Sequence, residues 1–256
     1  MLRHLTCLAF AAVVLTAGPA RALDIVIENL DGPGEGFNDA TLASPVGGNS
    51  GTTLGEQRLI VFQTAADIWE SILQSPSTDV TITVNATFDA LTCDASSAVL
   101  GSAGPITVQR DFLGAEFTNT WYHVALANRI FGSDLDPSNA DIVTRFNSSI
   151  DNNDNCLSGT DWYYGLDGNE GTDTELLPVV LHELGHGLGF SEFVDGDTGE
   201  LFLGRIDVFS RFLFDEDEGL YWSEMSNAQR VTSARNSGGV VWDGGASTFQ
   251  AAQALD

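Results

Sequence analysis

The sequence contains no lysine, and its ten basic residues, all arginines, stand against 36 aspartates and glutamates. The formal net charge is therefore −26 at pH 7. Nucleic-acid-binding surfaces need clustered basic side chains to contact phosphates, so this composition excludes nucleic acid as a partner. The acidic surface also repels anionic membranes and polymers, and by itself it indicates only a hydrated, soluble exterior.

The first 22 residues have the pattern of a secretory signal peptide. Arg3 precedes an apolar run from Leu5 to Ala17, and Ala20-Arg21-Ala22 supplies small residues at a cleavage site. The run is shorter than the ~20 apolar residues of a spanning helix, and Cys7 is not placed for lipid attachment, so we expect no membrane anchor. We predict a secreted or extracellular protein, with the periplasm as an alternative. The mature chain would be residues 23–256.

Cysteine is scarce, since only three occur and one of them lies in the predicted signal peptide. Disulfides persist in the oxidising compartments that secreted proteins enter. Cys93 and Cys156 both lie in polar, turn-rich segments. We therefore expect them to form a disulfide, and two free thiols are the alternative.

Hydrophobic periodicity predicts an α+β domain. Apolar residues recur at helical spacing from Leu59 to Leu73, and a weaker helical pattern runs from about Thr118 to Phe131. Residues 147–171, rich in Asn, Asp and Gly, predict a long loop. Three segments are predicted to be strands: Asp24–Leu30, Asp141–Phe146 and Val80–Phe88, in which apolar and polar residues alternate strictly. This order favours a twisted mixed sheet with packed helices.

An H-E-x-x-H motif carries the chemistry of this sequence. Pro178 suits a first helical turn, so a helix is expected to begin near it and to carry His182, Glu183 and His186. Histidines four residues apart project from one helical face and can bind one cation. Zn²⁺ suits imidazole ligands, and Glu183 is placed to act as the general base towards a metal-activated water. The alternative is two histidines held by core hydrogen bonds.

The residues after His186 resemble the longer metzincin pattern H-E-x-x-H-x-x-G-x-x-H/D. The resemblance implies that Gly189 ends the helix with a positive φ and that the residue three positions later returns to the metal. That residue is Glu192, where the pattern has His or Asp. The resemblance therefore implies Glu192 as the third zinc ligand.

Other acidic residues are alternatives for the third ligand. Asp207 follows His186 by 21 positions, close to the spacing at which thermolysin-like families have a ligating Glu. We interpret His123, the one other histidine of the mature chain, as a partly buried residue without a ligand role. Further acidic candidates are Asp195, Asp197 and Glu200.

Residues 23–256 as a whole resemble secreted bacterial metallopeptidase-like proteins, related to the metzincins, that often carry a protease-associated domain. The similar segments are Val179–Phe190, Asp207–Arg211 and Val240–Gly244. The resemblance implies a zincin-like catalytic domain with an active-site helix. Family members have a further histidine-containing segment and a Met-turn, and the context of Met225 is not that of a Met-turn. A C-terminally incomplete or degenerate member is therefore also possible under this resemblance.

Three acidic stretches offer alternating oxygen ligands for Ca²⁺. None of them matches the twelve-residue EF-hand loop, so solvated turns are the alternative. The stretches are Asp151–Asn155, Asp167–Gly171 and Asp195–Gly199.

These observations predict a secreted zinc endopeptidase that acts on a protein or peptide substrate. We expect an extended peptide to pair with a sheet edge formed by Asp141–Phe146. The alternative is a catalytically weak or inactive acidic protein that keeps the fold and works by binding or adhesion.

Overall fold

The computed structural model describes residues 23–73 and 80–244, so the predicted signal peptide lies outside the described residues. Four α-helices occur in this part of the chain: α1 Leu54–Ile72, α2 Val124–Phe131, α3 Leu176–Leu188 and α4 Asn227–Arg235. Short 3-10 helices occupy Gly36–Asn38, Phe202–Gly204, Ser210–Phe212 and Trp222–Glu224. The strands are β1 Leu23–Asn29, β2 Val80–Asp89, β3 Cys93–Asp94, β4 Ser97–Ala98, β5 Gly101–Pro105, β6 Val108–Gln109, β7 Tyr122–His123, β8 Ile142–Asn147, β9 Trp162–Tyr163, β10 Thr174–Glu175, β11 Leu213–Asp215, β12 Leu220–Tyr221 and β13 Val240–Trp242.

The central sheet has the strand order β1-β2-β8-β5. β1, β2 and β8 run parallel, whereas β5 pairs antiparallel with β8. The sheet is therefore mixed, which confirms the predicted α+β class with helices packed on it. The register pairs Val84 with Ile142 and Phe88 with Phe146, so apolar side chains of neighbouring strands lie side by side.

The prediction that Asp141–Phe146 forms a sheet edge is wrong. β8 lies between β2 and β5 and is paired on both sides. The covering strand β5 has the sequence Gly-Ser-Ala-Gly-Pro, which carries neither apolar alternation nor β-branched residues, so periodicity could not detect it. The edge of the sheet on this side is β5.

Helix α1 begins at Leu54, five residues before the predicted periodic segment. Thr53 caps it by accepting a hydrogen bond from the Glu56 amide, which satisfies one of the free N–H groups of the first turn. Its apolar face packs on the sheet through Phe62, which is fully buried and makes an edge-to-face contact with Phe146.

The predicted helix from Thr118 to Phe131 is only half present. α2 begins at Val124, and the preceding residues are extended. The Trp121 amide donates to the Ile206 carbonyl, and the Val208 amide donates back to the Trp121 carbonyl. These tertiary hydrogen bonds use the backbone groups that a longer helix would have needed, so pairing overrides local propensity here.

The predicted disulfide is confirmed: Cys93 and Cys156 are bonded, with their Cα atoms 5.2 Å apart. Cys156 lies in the predicted long loop, where the two-residue strand β9 is the only strand after the end of β8 at Asn147. The bridge joins the loop to the β3–β4 hairpin beside the central sheet. No helix in residues 23–73 and 80–244 has the length and apolar content to cross a membrane.

Candidate active site

The H-E-x-x-H motif lies on α3, which packs tightly against the sheet. Leu176, Val180 and Leu184 are fully buried on the inner face of the helix. A Cβ atom at Gly187 would lie 2.4 Å from the Ile142 side chain on β8. Only glycine at this position lets the helix approach the strand so closely, and the approach fixes which face of α3 points outward.

The two histidine side chains of the motif converge on the outer face of α3. Their Nε2 atoms are 2.9 Å apart, and the ring planes are nearly perpendicular at 85°. His182 is exposed and His186 is half-buried. This is the arrangement that the i, i+4 spacing predicts for a pair of nitrogen donors to one cation.

A backbone carbonyl fixes the orientation of the second histidine. His186 Nδ1 lies 2.8 Å from the Phe190 carbonyl oxygen. A carbonyl oxygen can only accept, so Nδ1 carries a proton, and neutral His186 has its lone pair on Nε2, facing His182. Metal-binding histidines commonly donate their second ring nitrogen to a carbonyl in this way. The donor set therefore fits two of the imidazole ligands of a zinc site.

The carbonyl is in reach because the chain turns sharply at Gly189. α3 ends at Leu188, and Gly189 has a φ of 125°, as the resemblance implied. The Phe190 amide then donates back to the Gly185 carbonyl at 3.0 Å. Glycine accepts a positive φ without the steric cost of a side chain.

Glu183 lies beside the histidines but points towards the edge strand. Its side chain is buried, and its Cγ would be 3.2 Å from a Cβ at Gly101 on β5. Burial raises the pKa of Glu183, while His186, His182 and a hydrogen bond from the Ala103 amide act in the opposite direction. A carboxyl group with a raised pKa is a stronger base than an exposed one.

An open cavity of about 400 Å³ adjoins His182 and Glu183. Apolar side chains just before the edge strand and from the first turn of α3 complete its wall. The lining residues besides the two motif residues are Val99, Leu100, Gly101, Pro178 and Val179. The site thus combines two nitrogen donors, a buried carboxylate and an adjoining apolar recess along a strand edge.

The proposed third ligand is not brought to the histidines. Within residues 23–73 and 80–244, no three His, Cys, Asp or Glu side chains form a group that could hold a metal ion. Glu192 is exposed and lines a separate cavity of about 260 Å³ with Phe209 and Trp222. Its role as a ligand stays a prediction from the resemblance.

The alternative ligand Asp207 is fully buried, and its carboxylate is occupied by protein donors. One oxygen accepts from the Ser210 amide at 2.7 Å, and the other accepts from the Ser210 hydroxyl and the Phe193 amide at 2.7 and 3.0 Å. Burial raises the pKa of Asp207, and these hydrogen bonds act in the opposite direction. In this arrangement Asp207 ties the segment after α3 to the turn at Ser210.

Sequence reasoning missed the relation of His123 to this site. His123 is fully buried rather than partly buried, and its Nε2 lies 2.8 Å from Ser191 Oγ, just beyond Gly189. Burial, together with the nearby His186, lowers the pKa of His123 to about 4. No local pattern marks this residue, because its partners are supplied by a segment about 70 positions away in the chain.

The acidic stretches considered for Ca²⁺ form local turn contacts. Asp195 accepts from the Asp197 and Thr198 amides, and Asp167 accepts from the Tyr163 hydroxyl. Asp151 instead pairs with the buried Arg58 guanidinium at 2.8 Å. Calcium binding by these stretches stays a prediction.

No protein-family model matches this chain, and neither the comparison with curated proteins nor the comparison with solved structures finds a match.

Proposed function

We propose that this chain is a secreted zinc-dependent endopeptidase with a metzincin-like, zincin-type catalytic domain. The observation that carries the proposal is the convergence of two Nε2 atoms, 2.9 Å apart, next to the buried carboxyl of Glu183. Zn²⁺ bound there would lower the pKa of a water molecule towards ~7 and polarise a peptide carbonyl. His182 and His186 are the residues that would hold it.

Glu183 acts as the general base in this proposal. It accepts a proton from the attacking water and returns it to the amine that leaves when the peptide bond breaks. Burial favours this role because it raises the pKa of the carboxyl. The Ala103 amide holds the carboxylate against the edge strand, so the base faces the position where a substrate backbone would lie.

The substrate is a peptide in extended conformation that pairs with the outer side of β5. This replaces the expected edge at Asp141–Phe146, because β5 is the terminal strand next to α3. An apolar substrate side chain fits the cavity against Val99, Leu100 and Val179. The charge of −26 favours neutral or basic peptides over acidic ones.

Secretion is supported by the predicted signal peptide and by the Cys93–Cys156 disulfide, since structural disulfides persist in oxidising compartments. A second candidate is the catalytically weak or inactive binding or adhesion protein. It is favoured by the positions of the two candidate third ligands: Glu192 lines a separate cavity, and the Asp207 carboxylate is occupied by Ser210 and Phe193.

Zinc stoichiometry combined with peptidase assays tests the proposal. The purified mature chain is expected to hold one zinc per molecule, and His182→Ala or His186→Ala to lose it. Glu183→Gln is expected to retain zinc while cleavage of a broad peptide mixture falls ~10²–10⁴-fold, the scale for losing a general base. Glu28→Gln, on the exposed side of β1, is the matched carboxylate control and leaves both properties unchanged.

Zinc held without any peptide cleavage would favour the binding protein over the peptidase. Full zinc occupancy in both histidine variants would remove the zinc assignment altogether.

A further inference from the structure

His123 touches the segment that follows α3 at two points. Its Nε2 lies 2.8 Å from Ser191 Oγ, and its ring packs on the Phe193 ring with the centroids 4.4 Å apart. The imidazole is completely buried, and its Nδ1 has no hydrogen-bond partner. A buried polar atom without a partner costs free energy, so His123 Nδ1 lowers the stability of the folded protein.

Ser191 connects His123 to the metal-site histidine. Its hydroxyl donates to the His186 carbonyl at 3.5 Å. The residue before it, Phe190, supplies the carbonyl that accepts from His186 Nδ1 at 2.8 Å. The residue that His123 contacts is therefore joined by one peptide bond to the carbonyl that orients the His186 ring.

The segment needs such an anchor because it follows a glycine. Gly189, with its φ of 125°, has no side chain to restrict the backbone, so the direction of the Phe190 carbonyl depends on what holds the next residues. The Phe190 amide is held by the Gly185 carbonyl, and Ser191 is held by His123. The anchor on one side is helical backbone, and on the other it is a buried side chain from β7.

We infer that His123 is a positioning residue for the metal site: through Ser191 it holds the Phe190 carbonyl in the place where it fixes the tautomer and orientation of His186. Only the expected change in Zn²⁺ affinity rests on the proposed zinc function. The geometric part concerns the protein without metal and can be tested separately.

Two pairs of variants test the link. His123→Phe keeps a ring against Phe193 but removes the bond to Ser191, whereas His123→Gln keeps a polar nitrogen near the Nε2 position. Ser191→Ala removes the hydroxyl, and Ser191→Thr retains it. Tyr122→Phe is the control, because at the residue next to His123 it removes the hydroxyl that accepts a partly buried hydrogen bond from the Phe117 amide.

The first readout is Zn²⁺ affinity, measured by competition with a chromophoric chelator. Removing a group that orients a metal ligand typically weakens binding 10–100-fold. We expect His123→Phe and Ser191→Ala each to weaken Zn²⁺ binding about tenfold. This is the lower end of that range, because neither side chain contacts the His186 ring directly. The double variant is expected to lose no more than either single variant. His123→Gln, Ser191→Thr and Tyr122→Phe are expected to stay within about threefold of the parent.

The second readout is the ¹⁵N NMR spectrum of the His186 imidazole in the metal-free protein. The parent is expected to show a protonated Nδ1, and His123→Phe and Ser191→Ala to show a mixture of tautomers. If the parent binds no Zn²⁺, the proposed function fails while this measurement still decides the positioning role.

Unchanged affinity and an unchanged His186 spectrum in His123→Phe and Ser191→Ala would overturn the inference. Complete loss of zinc in His123→Gln, as in His186→Ala, would overturn it in favour of direct ligation. An equal loss in Tyr122→Phe would show that affinity follows general stability. If His123→Phe does not fold, the comparison of Ser191→Ala with Ser191→Thr tests the positioning role by itself.

Discussion

The chain before Gly189 and the chain after it are stabilised in different ways. Residues 23–188, the N-terminal region, contain the central sheet with α1 and α3 packed on it around one large apolar core. Residues 189–244, the C-terminal region, contain α4, short 3-10 helices and three short strands. Their separate apolar cluster is small: Val194, Ile206, Leu213, Trp222 and Met225.

Buried polar side chains occur in both regions, but in the C-terminal region the apolar cluster beside them is small. Arg230 is 4% exposed and donates to the Gly199, Trp222 and Met225 carbonyls. Asp207 binds the Ser210 turn in a similar way. Irregular backbone leaves carbonyl and amide groups without regular partners, and these side chains satisfy them. The comparison teaches that a large apolar core dominates the N-terminal region, whereas in the C-terminal region buried polar side chains are nearly as numerous as buried apolar ones.

The largest effect is expected from breaking the apolar core of the N-terminal region. Phe62→Ala removes a fully buried ring that contacts Phe37 and Phe146, so the free energy of unfolding should fall by about 3–5 kcal/mol. Leu59→Ala on the same helix, at a 40% exposed site, should cost about 1 kcal/mol or less. Chemical denaturation measures both, and similar losses at the two sites would contradict the core assignment.

The N-terminal region also contains an irregular loop, and the disulfide stabilises it. It closes residues 93–156 into a loop, for which the chain-entropy model gives about 4 kcal/mol, with about 3 kcal/mol typical in practice. The double variant Cys93→Ala/Cys156→Ala should lower the free energy of unfolding by about 3 kcal/mol. Reduction of the parent should have the same effect. Two alkylatable thiols in protein purified without reductant would refute the bridge.

Arg230→Met tests the buried hydrogen bonds that Arg230 makes in the C-terminal region. The change leaves several buried carbonyls without a donor, so it should cost about 3 kcal/mol despite keeping the apolar length of the side chain. Arg235→Met on the same helix removes only an exposed pair with Asp197 and should cost less than about 0.5 kcal/mol. Hydrogen exchange should locate the loss in residues 189–244. Uniform loss across the whole chain would mean that the two regions unfold as one unit.

The smallest expected effect concerns His123, which lies where the two regions meet. Its pKa is lowered to about 4 from a usual value of 6.5, so between these pH values the unfolded chain binds a proton that the folded chain does not. Stability is therefore lost as pH falls from 6.5 to 4, with about 2 kcal/mol gone at pH 5. His123→Gln should remove this part of the pH dependence. An identical pH profile for parent and variant would exclude His123 as its source.

Periodic signals predicted β2 and α1 well, and the short segments Asp24–Leu30 and Asp141–Phe146 predicted β1 and β8 to within one residue. The alternation from Val80 to Phe88 became β2, and the helical spacing from Leu59 to Leu73 became most of α1. In both cases local periodicity and burial agree, because one face of each element meets the core. The helix predicted before Val124 was wrong, and β5 was not predicted at all, so the sheet edge was wrongly assigned to Asp141–Phe146.

The sequence by itself determined the local geometry of the candidate site, as far as spacing within one helix reaches. The i, i+4 histidines and the positive φ at Gly189 follow from residues within one helix and its end. Only the tertiary structure decided that β5 is the edge beside Glu183, that Asp207 is occupied by Ser210, and that His123 anchors Ser191. Each of these depends on a contact between distant parts of the chain, and no short-range pattern encodes which distant partner a side chain meets.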